Sequence, residues 1–367
     1  MHVGKSFLMN ALAGVPGLFT VANSSLPCTK GVDISSAILP YQELEAHTSK
    51  LGIQLSDIEL HDNHHHPQPP SKPSKSSAPP QIGFVDVEGQ GAEDSQYDTM
   101  LALPLLLTSK VILFNHKGAP TVNEMLTRLG VLARAAEYID IDGDDNANGK
   151  ESGDDTDGSS TNRVSYASQR LSGTSKKFGH LHVIFRDFSF EGNEQDVYQQ
   201  LLGLEPVQPT KTSKTTKSFN PSMKSDRDRE NDALKAVQER NDIRNLLHEN
   251  FQSIHIWLLK QPASGDVLKQ YRELPEEHVD PAFTSEVHRL QYVLTQQLQT
   301  PTLFAGSYLN GTKISTLLTQ ITQTLNTNGA ISVPSVFKAM ENETVNRVYK
   351  EIVDEFEKKI QKIKSSQ

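Results

Sequence analysis

A chain of 367 residues with 36 basic and 45 acidic side chains, net charge -9, is long enough for two or three domains. Its charge balance argues against a basic face of the kind that grips nucleic-acid phosphates, and its single cysteine excludes an internal disulfide framework and points to a reducing compartment. No secretory leader is evident, and the most apolar run, 100–114, contains Thr108, Ser109 and Lys110 and is too short to cross a bilayer.

Near the start, Gly4-Lys5-Ser6 runs into an apolar helical pattern of Phe7, Leu8, Ala11 and Leu12, as the end of a phosphate-binding loop does. A complete loop reads G-x-x-x-x-G-K-[ST] after a buried strand: glycine lets backbone N–H groups wrap the phosphates, lysine reaches the terminal ones, and the hydroxyl takes Mg²⁺. The first glycine and that strand would lie upstream of Met1, so Met1 is expected to be an internal methionine of a longer protein. A plain helix start with Ser6 near its cap is the simpler alternative.

Order along the chain favours the phosphate loop. Next come Pro27-Cys28-Thr29-Lys30-Gly31 and a predicted strand through Val32, Ile34 and Ile38. The run Ile82-Gly83-Phe84-Val85-Asp86 then predicts a buried strand carrying an acid at its C-terminal tip, with Val87-Glu88-Gly89 behind it. Residues 100–114 predict a helix and then a strand, and Val183-Ile184-Phe185 predicts another strand ending in Arg186-Asp187. Three strand-tip sites behind one Gly-Lys-Ser helix point to a nucleotide triphosphatase.

Polar stretches interrupt this order at 47–80, with His64-His65-His66 and six prolines, at 140–177, rich in Asp, Gly and Ser, and at 208–230, rich in Lys, Thr and Ser. They bury too little apolar surface to offset ordering entropy, which predicts disordered surface loops. Asp144, Asn146, Asn148, Gly149 and Asp155 imitate a calcium loop, but Glu151 stands where an apolar residue belongs. His61 with His64 to His66 lacks the ligand spacing of a metal site, and Lys211, Lys214 and Lys217 read as a solvated face.

Towards the C-terminus a charged helix is expected from about Asp232 to His248, followed by a strand over Ile254 to Leu259 with Trp257 in the core. Phe283, Val287, Leu290, Leu294 and Leu298 then recur at helical spacing. Val336, Met340, Val345, Val348, Ile352 and Phe356 make a second stripe over Val333 to Ile363, and both stripes are expected to bury against each other or against the preceding domain.

The stretches GKSFLMNALAG, CTKGVDIS, FVDVEGQG, LALPLLLTSKVILFN and VIFRDFSFE resemble those of guanylate-binding proteins and atlastins, which are large dynamin-related GTPases. The Arg-Asp pair distinguishes this group from GTPases that read guanine with Asn/Thr-Lys-x-Asp. LFAGSYLNGTKISTLLTQITQTLNTNGAISVPSVF resembles the linker and first stalk helices of guanylate-binding proteins. The resemblance implies an α/β fold: a P-loop GTPase domain over 1–275, with a mixed, mainly parallel sheet and helices on both faces, and an α-helical stalk segment over 276–367.

It also implies roles for particular residues. Gly4, Lys5 and Ser6 would hold the phosphates of GTP; Ser6 and Thr29 would ligate Mg²⁺, with Asp86 ordering the metal shell through water. Glu88 and Gly89 would belong to the second switch, with Lys5, Ser6, Thr29 and Glu88 serving catalysis. Asp187 would accept hydrogen bonds from guanine, with Arg186 packing beside the base. The family's arginine finger stands two residues before the second loop glycine, where this chain has His2, and Pro27-Cys28-Thr29 replaces the family's Ser-His-Thr. The implied protein is cytoplasmic, with peripheral association at endomembranes, does not bind nucleic acid, and forms a nucleotide-dependent homodimer through its GTPase domains that drives stalk movement. A pseudo-GTPase scaffold and a fragment of an atlastin-like fusion enzyme, whose transmembrane hairpin is not among these residues, are the alternatives.

Overall fold

The computed structural model describes residues 5–15, 17–19, 32–53, 80–87, 95–118, 121–140, 178–188, 192–206, 226–270, 274–304, 307–327 and 331–364. His2, Gly4, Thr29, Glu88, Gly89, the interiors of the three polar stretches and the side chain of Lys5 lie outside the described residues. In chain order the main elements are α1 (Lys5–Ala13), β1 (Val32–Ile34), α2 (Tyr41–Ser49), β2 (Val85–Val87), α3 (Ser95–Thr108), β3 (Val111–Lys117), α4 (Val122–Ala135), β4 (Phe178–Arg186), α5 (Glu194–Leu202), α6 (Asp226–Asn250), β5 (Phe251–Leu259), α7 (Pro281–Gln297), α8 (Gly311–Asn326) and α9 (Val333–Lys364).

Strands that are apolar at successive positions must be covered on both faces, which suits a parallel sheet flanked by helices. β3, β4 and β5 form such a three-stranded parallel sheet, with β4 central, Lys117 opposite Arg186 and Arg186 opposite Leu259. Leu181, Val183, Phe185, Ile254 and Ile256 point to one side, where they pack with α3, α4, α5 and α6. Ile184, Trp257 and Leu259 point to the other, against Leu8 and Leu12 of α1 and Phe283, Val287 and Leu290 of α7. Each leucine or phenylalanine taken fully out of water contributes about 2–3 kcal/mol, so these two layers dominate the stability of the described residues. The close approach of β3 to β4 needs a glycine: an added Cβ on Gly179 would lie 2.0 Å from the Lys110 carbonyl oxygen.

Among the described residues the parallel sheet is smaller than the one expected. The described strands divide into this three-stranded sheet and four two-stranded pairs, among them the antiparallel pair β1–β2. The fold is mixed α/β and mostly helical, and the strand expected to run through Ile38 stops at Ile34, with Ile34 and Ile38 both exposed. Two polar stretches also start or end elsewhere than expected. Residues 47–49 belong to α2, where buried Thr48 shares a 2.9 Å hydroxyl–hydroxyl bond with Thr295 of α7, and 226–230 belong to α6. Charge-rich α6 is held by polar contacts as well as apolar ones. Its buried Arg244 donates to the Leu201 carbonyl at 2.9 Å, where α5 ends, and pairs with Glu205 at 2.8 Å.

Trp257 lies in the core as expected, and it begins a chain of buried polar groups. Its indole N–H can only donate, so His182 Nδ1 accepts it at 2.9 Å. His182 Nε2 must then donate to Gln297 Oε1 at 2.8 Å, which ties the end of α7 to the sheet. Ser253 Oγ sits 2.8 Å from both His180 Nδ1 and His255 Nε2 and links the other two rings. With Nδ1 of His182 already accepting, a second proton on that ring would break the bond to Trp257. Burial pushes the pKa of both His180 and His182 down to about 3.

This has a pH consequence with a definite sign. The unfolded chain protonates these histidines below about pH 6.5, while the folded chain keeps them neutral. Their stabilisation is therefore complete above pH 6.5 and is lost as the pH falls towards their folded pKa of about 3. The slope reaches about 1.4 kcal/mol per pH unit for each histidine. We expect the melting temperature to fall between about pH 6.5 and 5, above the range of ordinary carboxylates. A flat melting temperature across that interval would contradict the neutral network.

The second helical stripe departs from expectation. Val336 and Met340, near the start of α9, join the core around Leu317 and Ile321 of α8, but Val345, Val348, Ile352 and Phe356 are exposed. No described helix is long and apolar enough to cross a membrane.

Candidate functional site

α1 opens at Lys5, which places Ser6 in its first turn. Ser6 Oγ donates to Asp86 Oδ2 at 2.6 Å across 80 positions of sequence, and the two residues are only 9% and 3% exposed. A buried ionised carboxylate is costly unless hydrogen-bonded, and this hydroxyl supplies one such bond. Asp86 stands directly opposite Asp33 across the β1–β2 ladder, so two acids meet at this point. Facing like charges destabilise a ladder, and a cation would relieve them. Among the described residues no group of three or more His, Cys, Asp or Glu is arranged to hold a metal ion. A hydroxyl and a carboxylate in contact are nonetheless hard oxygen donors of the type Mg²⁺ prefers, with the remaining ligands drawn from water and phosphate.

The second group lies at the C-terminal tips of β3 and β4. Asp187 follows β4 directly with φ 55°, a left-handed backbone that aspartate tolerates better than most non-glycine residues. The turn is pinned from both sides: the Gly118 N–H donates to the Arg186 carbonyl at 2.7 Å, and the Phe188 N–H to the Leu259 carbonyl at 3.0 Å. Gly118 itself has φ 82°, which suits glycine. Arg186 Nε donates to Asn115 Oδ1 at 2.6 Å, and burial lowers the Arg186 pKa while the neighbouring Asp187 pushes it back up. Lys117 Nζ lies 3.8 Å from Asp187 Oδ2, with side-chain exposures of 52% and 22%. So wide and exposed a pair is weak, which leaves the carboxylate available to a ligand.

The structure thus brings Ser6 to Asp86, and Arg186 and Asp187 to Asn115 and Lys117. α1 links the two groups, because Leu8 and Leu12 share an apolar cluster with Ile184 and Leu259, which flank Arg186 on the sheet. The expected roles of Gly4, Thr29, Glu88 and Gly89 fall outside the described residues. Sequence reasoning missed Asn115 and Lys117. Their signal was the same one that identified Asp86 and Asp187, an apolar strand ending in polar residues, here Val111 to Phe114 followed by Asn115, His116 and Lys117.

A scan against protein-family models finds no match to the chain, and a search of curated proteins finds none. A functional reading therefore rests on the geometry and on the sequence motifs.

Proposed function

We propose that this chain is a GTP-binding protein with GTPase activity, built as a P-loop-type α/β domain over 1–275 followed by an α-helical stalk segment, as in guanylate-binding proteins. The single observation that carries the reading is the buried Ser6–Asp86 bond, which joins the helix start after Gly-Lys to a strand-tip carboxylate. That is the pairing a triphosphate and magnesium site requires. The N–H groups in the first turn of α1 and the Lys5 ammonium would hold the phosphates, aided by the positive end of the helix dipole. Mg²⁺, held by Ser6 and ordered through Asp86, would neutralise phosphate charge when bound. Asp187 would accept from guanine N1–H and N2–H, while Asn115 keeps the Arg186 side chain in place beside the base.

Phosphoryl transfer needs positioning and positive charge more than covalent help from the protein. His2 lacks the planar fork of an arginine finger, whose absence slows such reactions by roughly 10³- to 10⁵-fold. We therefore read the protein as a firm GTP binder and a slow hydrolase whose nucleotide-dependent homodimerisation is coupled to stalk movement. We place it in the cytoplasm, with peripheral association at endomembranes. His2 also favours a second reading, a pseudo-GTPase scaffold that holds nucleotide without turning it over. Single-turnover assays separate the two: GDP and phosphate should appear slowly from bound GTP, and faster after His2→Arg. Bound GTP that stays intact in both chains would favour the scaffold.

A further inference from the structure

We propose that the Lys117 ammonium is the donor that reads O6 of guanine, so that the site matches the whole polar edge of the base. The assignment rests on the reading of Asp187 as the acceptor for N1–H and N2–H. That reading leaves the third group on the same edge, the O6 carbonyl, to be matched. An acceptor taken from water without a new donor costs binding energy, so a site selective for guanine needs one here. Lysine and arginine are the side chains that most often meet the O6 and N7 acceptors of guanine in duplex DNA, and the same match of donor to acceptor applies.

Strand geometry places Lys117 for this task. Side chains alternate across a strand, and Val111 and Leu113 of β3 pack against the apolar cluster that holds Leu8 and Leu12 of α1. Asn115 and Lys117 continue that face, opposite Ile184 and Arg186 of β4, while His116 turns the other way onto Phe185. Lys117 therefore stands on the side of the sheet covered by α1, the helix that carries Ser6. Three donors around Asp187 are committed elsewhere: Arg186 Nε to Asn115 at 2.6 Å, the Gly118 N–H to the Arg186 carbonyl, and the Phe188 N–H to the Leu259 carbonyl. Lys117 Nζ lies 3.8 Å from Asp187 Oδ2, beyond hydrogen-bond length, on a side chain that is 52% exposed. O6 and N1–H sit on adjacent ring atoms, so a base whose N1–H meets the Asp187 carboxylate brings O6 towards the cation beside it. Adenine carries an amino group in that place and would set donor against donor.

The test is calorimetric titration of the full chain, with Mg²⁺ present, by GTP, 6-thio-GTP and inosine triphosphate. 6-Thio-GTP keeps both N–H groups and replaces O6 with sulfur, a weaker acceptor; inosine triphosphate keeps O6 and N1–H and lacks the 2-amino group. Lys117→Met, at an exposed strand end where folding is not at stake, keeps the apolar stem and removes the charge. The parent chain should prefer GTP to 6-thio-GTP by about tenfold, and Lys117→Met should bind GTP about tenfold more weakly with that preference lost. Its preference for GTP over inosine triphosphate should match the parent's, because Asp187 reads the 2-amino group. A parent that binds GTP and 6-thio-GTP alike overturns the assignment, as does a variant that keeps the preference, the result if Arg186 or a backbone N–H meets O6; both leave the Asp187 reading standing. A variant whose preference over inosine triphosphate falls instead also overturns it, since that marks a lysine that only positions Asp187. If the parent binds no GTP, the guanine site itself fails and this assignment with it.

Discussion

Asp187→Asn is expected to exchange guanine for xanthine in the bound nucleotide. A carboxylate only accepts hydrogen bonds, which matches the two donors on guanine, N1–H and N2–H. An asparagine amide offers one acceptor and one donor, which matches xanthine, where N1–H donates and O2 accepts. The backbone would tolerate the change, because asparagine enters the left-handed region as readily as aspartate and φ here is 55°. Little else would be lost, since among the described residues the ion pair removed is the 3.8 Å contact to half-exposed Lys117. Hydrogen bonds to a charged group contribute about 1.5–3 kcal/mol each, so losing two should weaken GTP binding by roughly 10²- to 10⁴-fold. XTP should gain affinity in the same variant. Competition between the two nucleotides measures both effects at once, and unaltered GTP affinity would remove Asp187 from base recognition.

Asp86→Asn should have the next largest effect, confined to the magnesium-dependent part of binding. The amide oxygen can still accept the Ser6 hydroxyl, so the link between α1 and β2 survives while the negative charge is lost. Removing the charge from a buried, hydrogen-bonded site typically costs about 2–5 kcal/mol of the interaction it supports. Affinity for GTP in the presence of Mg²⁺ should fall accordingly, whereas affinity in EDTA should barely change. Lys5→Ala provides the contrast, because an ammonium on the phosphates acts with or without metal and its removal should weaken both. If Asp86→Asn and the parent chain respond alike to EDTA, Asp86 does not serve a metal.

How far the sequence reveals this molecule depends on whether the signal is local. The run Val183-Ile184-Phe185, apolar on consecutive residues, announces a strand covered on both faces, and the structure extends it to Phe178–Arg186. The helix over Pro281–Gln297 follows from the spacing of Phe283, Val287, Leu290 and Leu294, with Asp280 as its cap. In contrast, His180 and His182 look like the polar side of a strand, yet His182 is fully buried and His180 half-buried. Their partners Ser253, Trp257 and Gln297 lie 73 to 115 positions away, where no local pattern reaches. The start of α6 was hidden as well. Residues 226–230 are Asp-Arg-Asp-Arg-Glu, charged at every position, so they declare no apolar face. In α9 the error ran the other way, since periodicity identifies an apolar stripe but not the surface that covers it.

For the site, the motif order found Ser6, Asp86, Arg186 and Asp187, and the structure groups them in pairs. The supporting groups, Asn115 and Lys117, emerge only once β3 is placed beside β4 with Lys117 opposite Arg186. Register between strands separated by some seventy residues is a tertiary property, so these two could be suspected from their strand tip but not assigned.

The proposed GTPase holds one nucleotide jointly through the Ser6–Asp86 group and the Arg186–Asp187 group. Calorimetric titration of the parent chain with GTP and, separately, ATP in the presence of Mg²⁺ tests it most directly. The prediction is one-site binding of GTP with a preference over ATP of at least about a hundredfold, the discrimination expected when a buried hydrogen-bonding site meets the wrong base. Absence of GTP binding, or equal affinity for the two nucleotides, would contradict it.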